Sequence, residues 1–564
     1  MSAVREIADR YLEALAPHEP AAAQALGRPA ADRLQDFSPE WAEARRALDA
    51  AVADELRAID RTTLDAADRP LHAAMLERLD SDVSLFDTGF TPRLLAPLAT
   101  PVHFIREAFD DTVVTPDAAG DAVLARLAAV PATLGDLRRR LEWSRDQGEL
   151  GRFSGGGVAG RTQVIVVADQ IASWIDPDGM DYFGSLRSHG LDAARATRLA
   201  SLSADATAAF AAFERFLRSD LAPDAPTQDA VGEEVYQATA RAFLGSDLDL
   251  DDIYAYGWSE LERLVAESRR IASELTGTPV DPDVVRRAVA ALEASGDQSL
   301  SGQDEIAAWL RARVDQTIAQ LDGTAFDLPA DIGEVECVVT EAASGVVYYL
   351  PGAPDGSSRS KIVWTIPRGL TSIATWHEVT SVHHEGVPGH HLEHSINRAN
   401  ASLHPWQRYL CEVHGYAEGW AHYSEGLADE LGLIRSPAER LGMVLGQIWR
   451  SVRIVADLGL HTGRAIPATT ITDATAWTPE LAGSFLRDLA MTDAHTASFE
   501  VDRYFGWPGQ ALAFKVGAKL WRDAREQSRQ RLGADFDLAR FHRDALGAGP
   551  MGLGPLRSTL LGDR

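Results

Sequence analysis

Apolar residues recur at three- and four-residue spacing along most of this chain, and that period commits it to a mainly α fold. Segments 70–86, 121–145, 191–221 and 250–275 carry the pattern, and the opening MSAVREIADRYLEALAPHEP reads as an amphipathic helix. Punctuation rich in Pro, Gly and Asp falls at 222–227, 277–283 and 295–304. One region changes period. Over 335–367 the runs VECVVT, GVVYYL and KIVWTIP alternate with turn material, EAAS and PGAPDGSSRS, which predicts a small antiparallel sheet of about three strands. Helix is expected again over 371–398, 405–432, 437–460 and 510–532. Without internal repeats or low-complexity tracts, residues 1–564 read as one large helical body, divisible into lobes 1–227 and 228–564.

Acidic side chains number 83 against 54 basic ones, a formal charge of −29. Phosphate recognition needs a basic surface, so this balance argues against a nucleic-acid partner and against an anionic membrane surface. No run of about 18 apolar residues could span a bilayer. The N-terminal segment lacks the basic, apolar and cleavage regions of a signal peptide, so the cytoplasm is the expected location. Two cysteines, Cys337 and Cys411, make no disulfide framework, and their apolar neighbours predict buried thiols.

Six of the 16 histidines fall within 18 residues: His377, His383, His384, His390, His391 and His394. Composition alone would place about 0.5 there, and histidine is the commonest protein ligand for zinc. His384 is followed by Glu385. In the metallopeptidase pattern His-Glu-x-x-His, two histidines one helical turn apart face one ion, and the glutamate serves as general base. Here position 388 is Pro and the next histidine is His390. On an unbroken helix six residues turn through about 600°, which aims His390 away from His384. His391 returns to the right face but lies about 10 Å along the axis, too far to share one ion. Pro388 and Gly389 resolve the conflict if they interrupt the helix, since proline breaks the hydrogen-bond ladder and glycine accepts unusual dihedrals. A distortion over 386–389 is therefore predicted. A straight helix there would rule out the two-histidine site.

With HEGVPGHHLE followed by GYAEGWAHYSE, the chain resembles the bacterial domain-of-unknown-function family 885, which is grouped with the zincin (gluzincin-like) metallopeptidases. The pattern HExxPGHH is matched by His384, Glu385, Pro388, Gly389, His390 and His391. YxEGWAxYxE is matched by Tyr416, Glu418, Gly419, Trp420, Ala421, Tyr423 and Glu425. A later block is met by Arg503, Tyr504, Pro508, Gly509, Gln510 and Ala511, and the likeness runs from HEPAAAQALG to FHRDALGAG. The resemblance implies a large helical zincin-like body, with the small sheet beside the metal-binding helix in the second lobe. It also implies a third ligand, because gluzincins take a glutamate from a helix downstream of the two histidines. Glu418 fits, since its Trp and Ala neighbours imply burial and therefore a partner. An arginine or tyrosine is the plain alternative partner. His414 and His422 lie four residues either side of Glu418, on its face, and His422 is a candidate support for a ligand.

The expected cofactor is one Zn2+ per chain on His384, His390 and Glu418, with His391 as the alternative to His390. Glu385 is then the general base. Tyr504 is the candidate oxyanion donor, by analogy with downstream tyrosines of related helical peptidases; a packed core tyrosine is the alternative. Arg503 could bind a substrate carboxylate or pair with Glu500. On IWRSVRIVADLGLH, Asp457 is the candidate acceptor for a ligand histidine and His461 a substrate or transition-state contact, against a plain Arg453–Asp457 pair. GVVYYL or KIVWTI could offer an exposed strand to an extended peptide, with Tyr349 beside it. The expected function is zinc-dependent hydrolysis of short peptides. Two rival readings use the same residues: metal binding without turnover, and hydrolysis of non-peptide amides or esters.

Two further patterns carry no site. Gly155, Gly157 and Gly160 spell G-x-G-x-x-G but precede the strand-like QVIVVAD, the wrong order for a dinucleotide loop. The acidic run 247–252 lacks the glycine and closing glutamate of a calcium loop and is expected to cap a helix beginning near Asp251.

Overall fold

The computed structural model describes residues 2–110, 112–296, 299–342, 346–352, 358–367 and 372–561. The chain is mainly helical and divides into two compact units. The first comprises 1–68, 75–242 and 498–508. Its core includes Leu124, Leu127 and Leu134 of the helix Ala118–Glu149, Val164 and Val167 of Arg161–Trp174, and Phe210 and Phe213 of Ala193–Phe216. QVIVVAD, strand-like in composition, lies inside the second of these helices. Val164, Val167, Ala168 and Ile171 fall on one helical face and are all buried, so packing decides against β-branched preference. The glycines before it serve close packing: a Cβ on Gly157 would lie 2.0 Å from the Ser144 carbonyl oxygen.

The lobe boundary expected at 227 falls instead after Ala242. The Pro-rich stretch 222–227 is a turn within the first unit. The Arg161 guanidinium donates to the carbonyls of Ala222, Pro223 and Ala225, and its backbone N–H donates to Pro226. Those bonds tie the turn to a helix start.

The second unit comprises 69–74, 243–497 and 509–564. In it Leu250–Thr276 packs along Pro437–Thr462, and His414–Glu430 along Ala513–Leu532. Both pairs approach at glycines. A Cβ on Gly257 would stand 2.7 Å from Ile454, and one on Gly419 2.6 Å from the Gly517 Cα. Asp249 caps the first of these helices by accepting from Asp251 and Asp252, as the acidic run suggested.

Five strands are described: β1 Ser299–Ser301, β2 Glu336–Ala342, β3 Val346–Leu350, β4 Lys361–Pro367 and β5 Ser372–Ala374. β1 pairs with β5. The larger sheet is mixed, not antiparallel, with order β2-β4-β3; β2 and β4 run parallel, β3 and β4 antiparallel. The reason is visible in burial. Ile362, Val363, Trp364, Thr365 and Ile366 of β4 are all buried, the continuous burial of a central strand, whereas Tyr348 of β3 is exposed. Parts of the turns EAAS and PGAPDGSSRS, and Thr371 at the expected helix start, lie outside the described residues. Cys411 is buried as expected, while Cys337 on β2 is only half-buried. Leu310 and Val314 of Gln303–Leu321, Ile362 of β4 and Val382 share one apolar cluster. That cluster seats the sheet against the helix carrying His384. No helix among the described residues is long and apolar enough to cross a membrane.

Candidate metal centre

The helix Val379–Glu385 ends at Gly386, and a new one, His390–Ala399, starts after Gly389. The interruption predicted over 386–389 is therefore present. Glycine is required on both sides of it. A Cβ on Gly389 would sit 1.9 Å from the His384 carbonyl oxygen, and one on Gly386 2.6 Å from that of Val382. The turn includes a cis Val387–Pro388 peptide. Its backbone is satisfied: the Gly389 N–H donates to His383, and the His391 N–H to Gly386. The Pro388 carbonyl accepts from Trp420 Nε1 at 2.8 Å and from Ser424 Oγ at 3.3 Å. Trp420 and Ser424 are fully buried on His414–Glu430, so the turn is clamped to the helix that carries Glu418.

The break brings His390 beside His384, with ring centroids 4.9 Å apart. One donor atom from each of His384, His390 and Glu418 lies within 4.8 Å of the others. His384 Nε2 stands 3.2 Å from Glu418 Oε2, and His390 Nε2 stands 3.6 Å from the same oxygen. Donors bound to one tetrahedral zinc would be separated by roughly 3.3 Å, so these residues fit that ion in both number and spacing. His391 faces elsewhere. Its Nε2 donates to the Ile332 carbonyl at 2.8 Å, and its ring lies 5.5 Å from that of Tyr349. The geometry thus selects His390 over His391.

A carboxylate without a sequence-based role completes the cluster. Glu425 follows Glu418 by two helical turns and accepts from His384 Nδ1 at 2.8 Å, which leaves Nε2 facing Glu418. Glu425 is 4% exposed and also meets His422 Nδ1 at 3.1 Å and Gln447 Nε2 at 3.0 Å. The Gln447 amide oxygen accepts from Lys515 Nζ at 3.1 Å, whose other partner is Glu260 at 3.1 Å. A line of polar contacts thus runs from His384 through four further helices. Sequence reasoning placed the supporting carboxylate at Asp457. That residue instead accepts from the Gly509 N–H at 2.9 Å and lies 3.7 Å from His461 Nε2. His422, the other candidate support, reaches His384 only through the Glu425 carboxylate that both contact. The missed signal was the seven-residue spacing from Glu418 to Glu425, which puts both on one face.

Burial opposes charge throughout this cluster, yet the partners outweigh it. Burial favours neutral His384, but Glu418 and Glu425 push it up to about 10. Burial would raise Glu418, yet His384 and His390 hold it well below the usual carboxylate range. Glu425 is lowered likewise by His422 and His384. Glu385 moves the other way: burial raises it, against the pull of His384 and His390. Its carboxyl stands 3.9 Å from His384 Nε2, with the backbone amide of Tyr349 as a donor.

The other expected side chains have partners of their own. The Tyr349 hydroxyl donates to Ser360 at 2.9 Å. Tyr504 and Arg503 belong to the first unit, where the buried Tyr504 hydroxyl donates to Glu500 at 3.1 Å and Arg503 donates to the same carboxylate at 3.4 Å.

No curated protein matches this chain in sequence. Two solved bacterial structures share its fold over the full length of both chains. One is a putative lipoprotein from Colwellia psychrerythraea, with TM-score 0.81 and 20% identity. The other is a putative lipoprotein of unknown function from Shewanella oneidensis, with TM-score 0.73 and 17% identity. The family described as bacterial protein of unknown function (DUF885) matches residues 20–560, and this chain belongs to it.

Proposed function

We propose that this protein is a zinc-dependent metallopeptidase of the zincin type, acting on short peptides. One observation carries the reading. The break at 386–389 gathers His384, His390 and Glu418, while Glu385, outside the donor set, keeps its carboxyl 3.9 Å from His384 Nε2. A protein that only stored metal would have no use for a largely buried, non-ligating carboxylate at that point.

Bound at these three side chains, zinc would supply a Lewis acid and an acidified water. Glu385 takes the proton from the attacking water and returns it to the leaving amine nitrogen. Its carboxyl, raised by burial, is matched to both halves of that task. Glu425 holds His384 in the tautomer whose Nε2 lone pair faces the donor set. Of the two strands expected to receive substrate, β4 is central and has no free edge. β3 pairs with β4 on one side, and its Tyr349 amide reaches Glu385, which supports a peptide laid along the β3 edge beside the base.

The test is elemental analysis followed by turnover of a short-peptide panel. Wild type is expected to hold about one zinc per chain, lost in His384→Ala and in Glu418→Ala. Glu385→Gln is expected to keep zinc and lose hydrolysis by at least about a hundredfold. Absence of stoichiometric metal after zinc reconstitution removes the reading, and unaffected turnover in Glu385→Gln removes the role given to that residue.

A further inference from the structure

The first unit contains a cavity of about 230 Å³ between the helices Pro39–Arg57, Asp68–Asp87 and Ala118–Glu149. Trp41, Ala42 and Phe86 give it apolar walls, and Arg140, Asp82 and Thr91 contribute polar groups. Most charges around it are already spent on one another. Arg45 is held by Glu19 and Asp49, and Arg46 by Asp87. Asp36 accepts from His18 at 2.8 Å and from the Ser38 N–H.

Two charges of opposite sign are less well met than these. Arg140 is 7% exposed, yet it donates only to the backbone carbonyls of Thr91 and Pro92. No carboxylate lies within ion-pair distance of it among the described residues, and its Nη1 has no acceptor there. Burial alone pulls its guanidinium down to about 10, the mark of a cation taken from water without a counter-charge. Among the described residues Asp82 has one ionic contact, Arg45 Nη2 at 3.7 Å, beyond hydrogen-bond range.

We infer that this cavity is a binding site for a small zwitterion, an α-amino acid or dipeptide, whose carboxylate meets Arg140, whose ammonium meets Asp82 and whose apolar side chain lies between Trp41 and Phe86. A simple anion would leave Asp82 with only its long contact to Arg45, which Glu19 and Asp49 already engage. A simple cation would leave Arg140 buried and unpaired. The volume is below the roughly 300–1,000 Å³ of drug-sized sites, which limits the occupant to about the size of one or two residues. The inference is independent of any peptidase activity in the second unit.

Calorimetric titration of the full chain with L-leucine and L-phenylalanine tests it, alongside N-acetyl-leucine and leucinamide. The free amino acids are expected to bind, and each half-blocked form about tenfold or more weaker, because each lacks one charge-assisted contact. Asp82→Asn, at a half-exposed position, is expected to weaken leucine about tenfold, whereas Glu418→Ala leaves its affinity unchanged. Arg140→Lys keeps the charge and is expected to lose the forked contact and weaken binding severalfold. Equal binding of leucine and its blocked forms overturns the inference. So does an absence of heat up to concentrations on the order of 10 mM. Loss of binding in Glu418→Ala with retention in Asp82→Asn would relocate the ligand to the metal centre and overturn it as well.

Discussion

Each unit buries a knot of ionisable side chains, and the two knots are satisfied by opposite means. In the first unit Asp49, 2% exposed, accepts from the Tyr11 hydroxyl at 2.6 Å and from Arg45 Nε at 2.8 Å. Arg45 also donates to Glu19 and to the Tyr11 oxygen. Its counter-charge is a guanidinium, which cannot give up its proton in a protein, so that knot closes on itself. In the second unit Glu418 faces His384 and His390. Imidazoles can exchange a bound proton for a metal ion, and the same carboxylate serves either partner. Burial and charge are alike in the two places. What separates a structural ion pair from the proposed metal centre is whether the cation can leave.

The largest expected difference follows from removing one carboxylate from each knot. Asp49→Ala strands the donors of Arg45 and Tyr11 and is expected to cost about 3–5 kcal/mol in denaturant unfolding, equally with zinc and with chelator. Glu418→Ala is expected to cost more in zinc than in chelator. The added loss is about 2.7 kcal/mol when free zinc stands a hundredfold above the wild-type dissociation constant. Equal costs for Glu418→Ala in both conditions would erase the distinction between the knots.

pH sharpens the same contrast. With metal removed, His384 has a folded pKa of about 10, raised above its unfolded value, so its contribution is complete below about 6.5 and lost as pH rises toward 10. Glu418 and Glu425 are depressed, so their contribution is present above the unfolded carboxylate range and lost on acidification. The metal-free second unit should therefore be most stable between about pH 4.5 and 6.5. Zinc must displace the His384 proton, so its affinity should rise with pH until about pH 10, by about tenfold per unit for each proton released. Zinc titration by competition with a chelating dye between pH 6.5 and 9 reads this slope directly. A flat profile would mean that His384 gives up no proton to the metal.

Much of this was legible in the sequence, and the gaps have physical causes. Helical spacing located the long helices because a buried apolar face imposes its period over many residues. It failed on QVIVVAD, where Val164, Val167 and Ile171 belong to both a β-branched run and a helical face, and only the packing of the first unit decides. Proline alone did not mark the break at 386–389, since Pro131 lies inside a helix that continues through it. The informative residues were Gly386 and Gly389, whose absent Cβ atoms let two helix ends meet. The clustering of His384 with His390, close in sequence, was readable for that reason. Their supports were not: Glu425 differs from Asp457 as a partner for His384 only through the three-dimensional course of two helices. Strand order was hidden too, although the unbroken apolar run of β4 already carried the sign of a central position.

Glu425 is the next point at which the comparison can be strained. Glu425→Gln keeps the shape but removes the charge that accepts from His384 Nδ1. Zinc affinity is expected to fall about 10- to 100-fold, the usual consequence of losing an acceptor behind a ligand histidine. Asp49→Asn in the first unit should leave zinc affinity unchanged, which makes it the matched control. An unchanged affinity in Glu425→Gln would place the control of His384 elsewhere.

Lys515 should give the smallest effect, and its size is informative because the residue acts at two removes. Fully buried, with its amine pulled down to about 8 by burial, it donates to Gln447, which donates to Glu425, which accepts from His384. Its ammonium fixes which end of the Gln447 amide is oxygen, and so ensures that an N–H, not a carbonyl, faces Glu425. Lys515→Met removes that constraint and is expected to weaken zinc only about threefold, with Glu385-dependent turnover falling in proportion to zinc occupancy. Gln447→Glu in the same background should restore nothing, since it sets a second carboxylate against Glu425. A loss in Lys515→Met as large as that in Glu425→Gln would mean that the buried ammonium acts on the donor set through its charge, and the second knot would then depend on a fixed cation as the first one does.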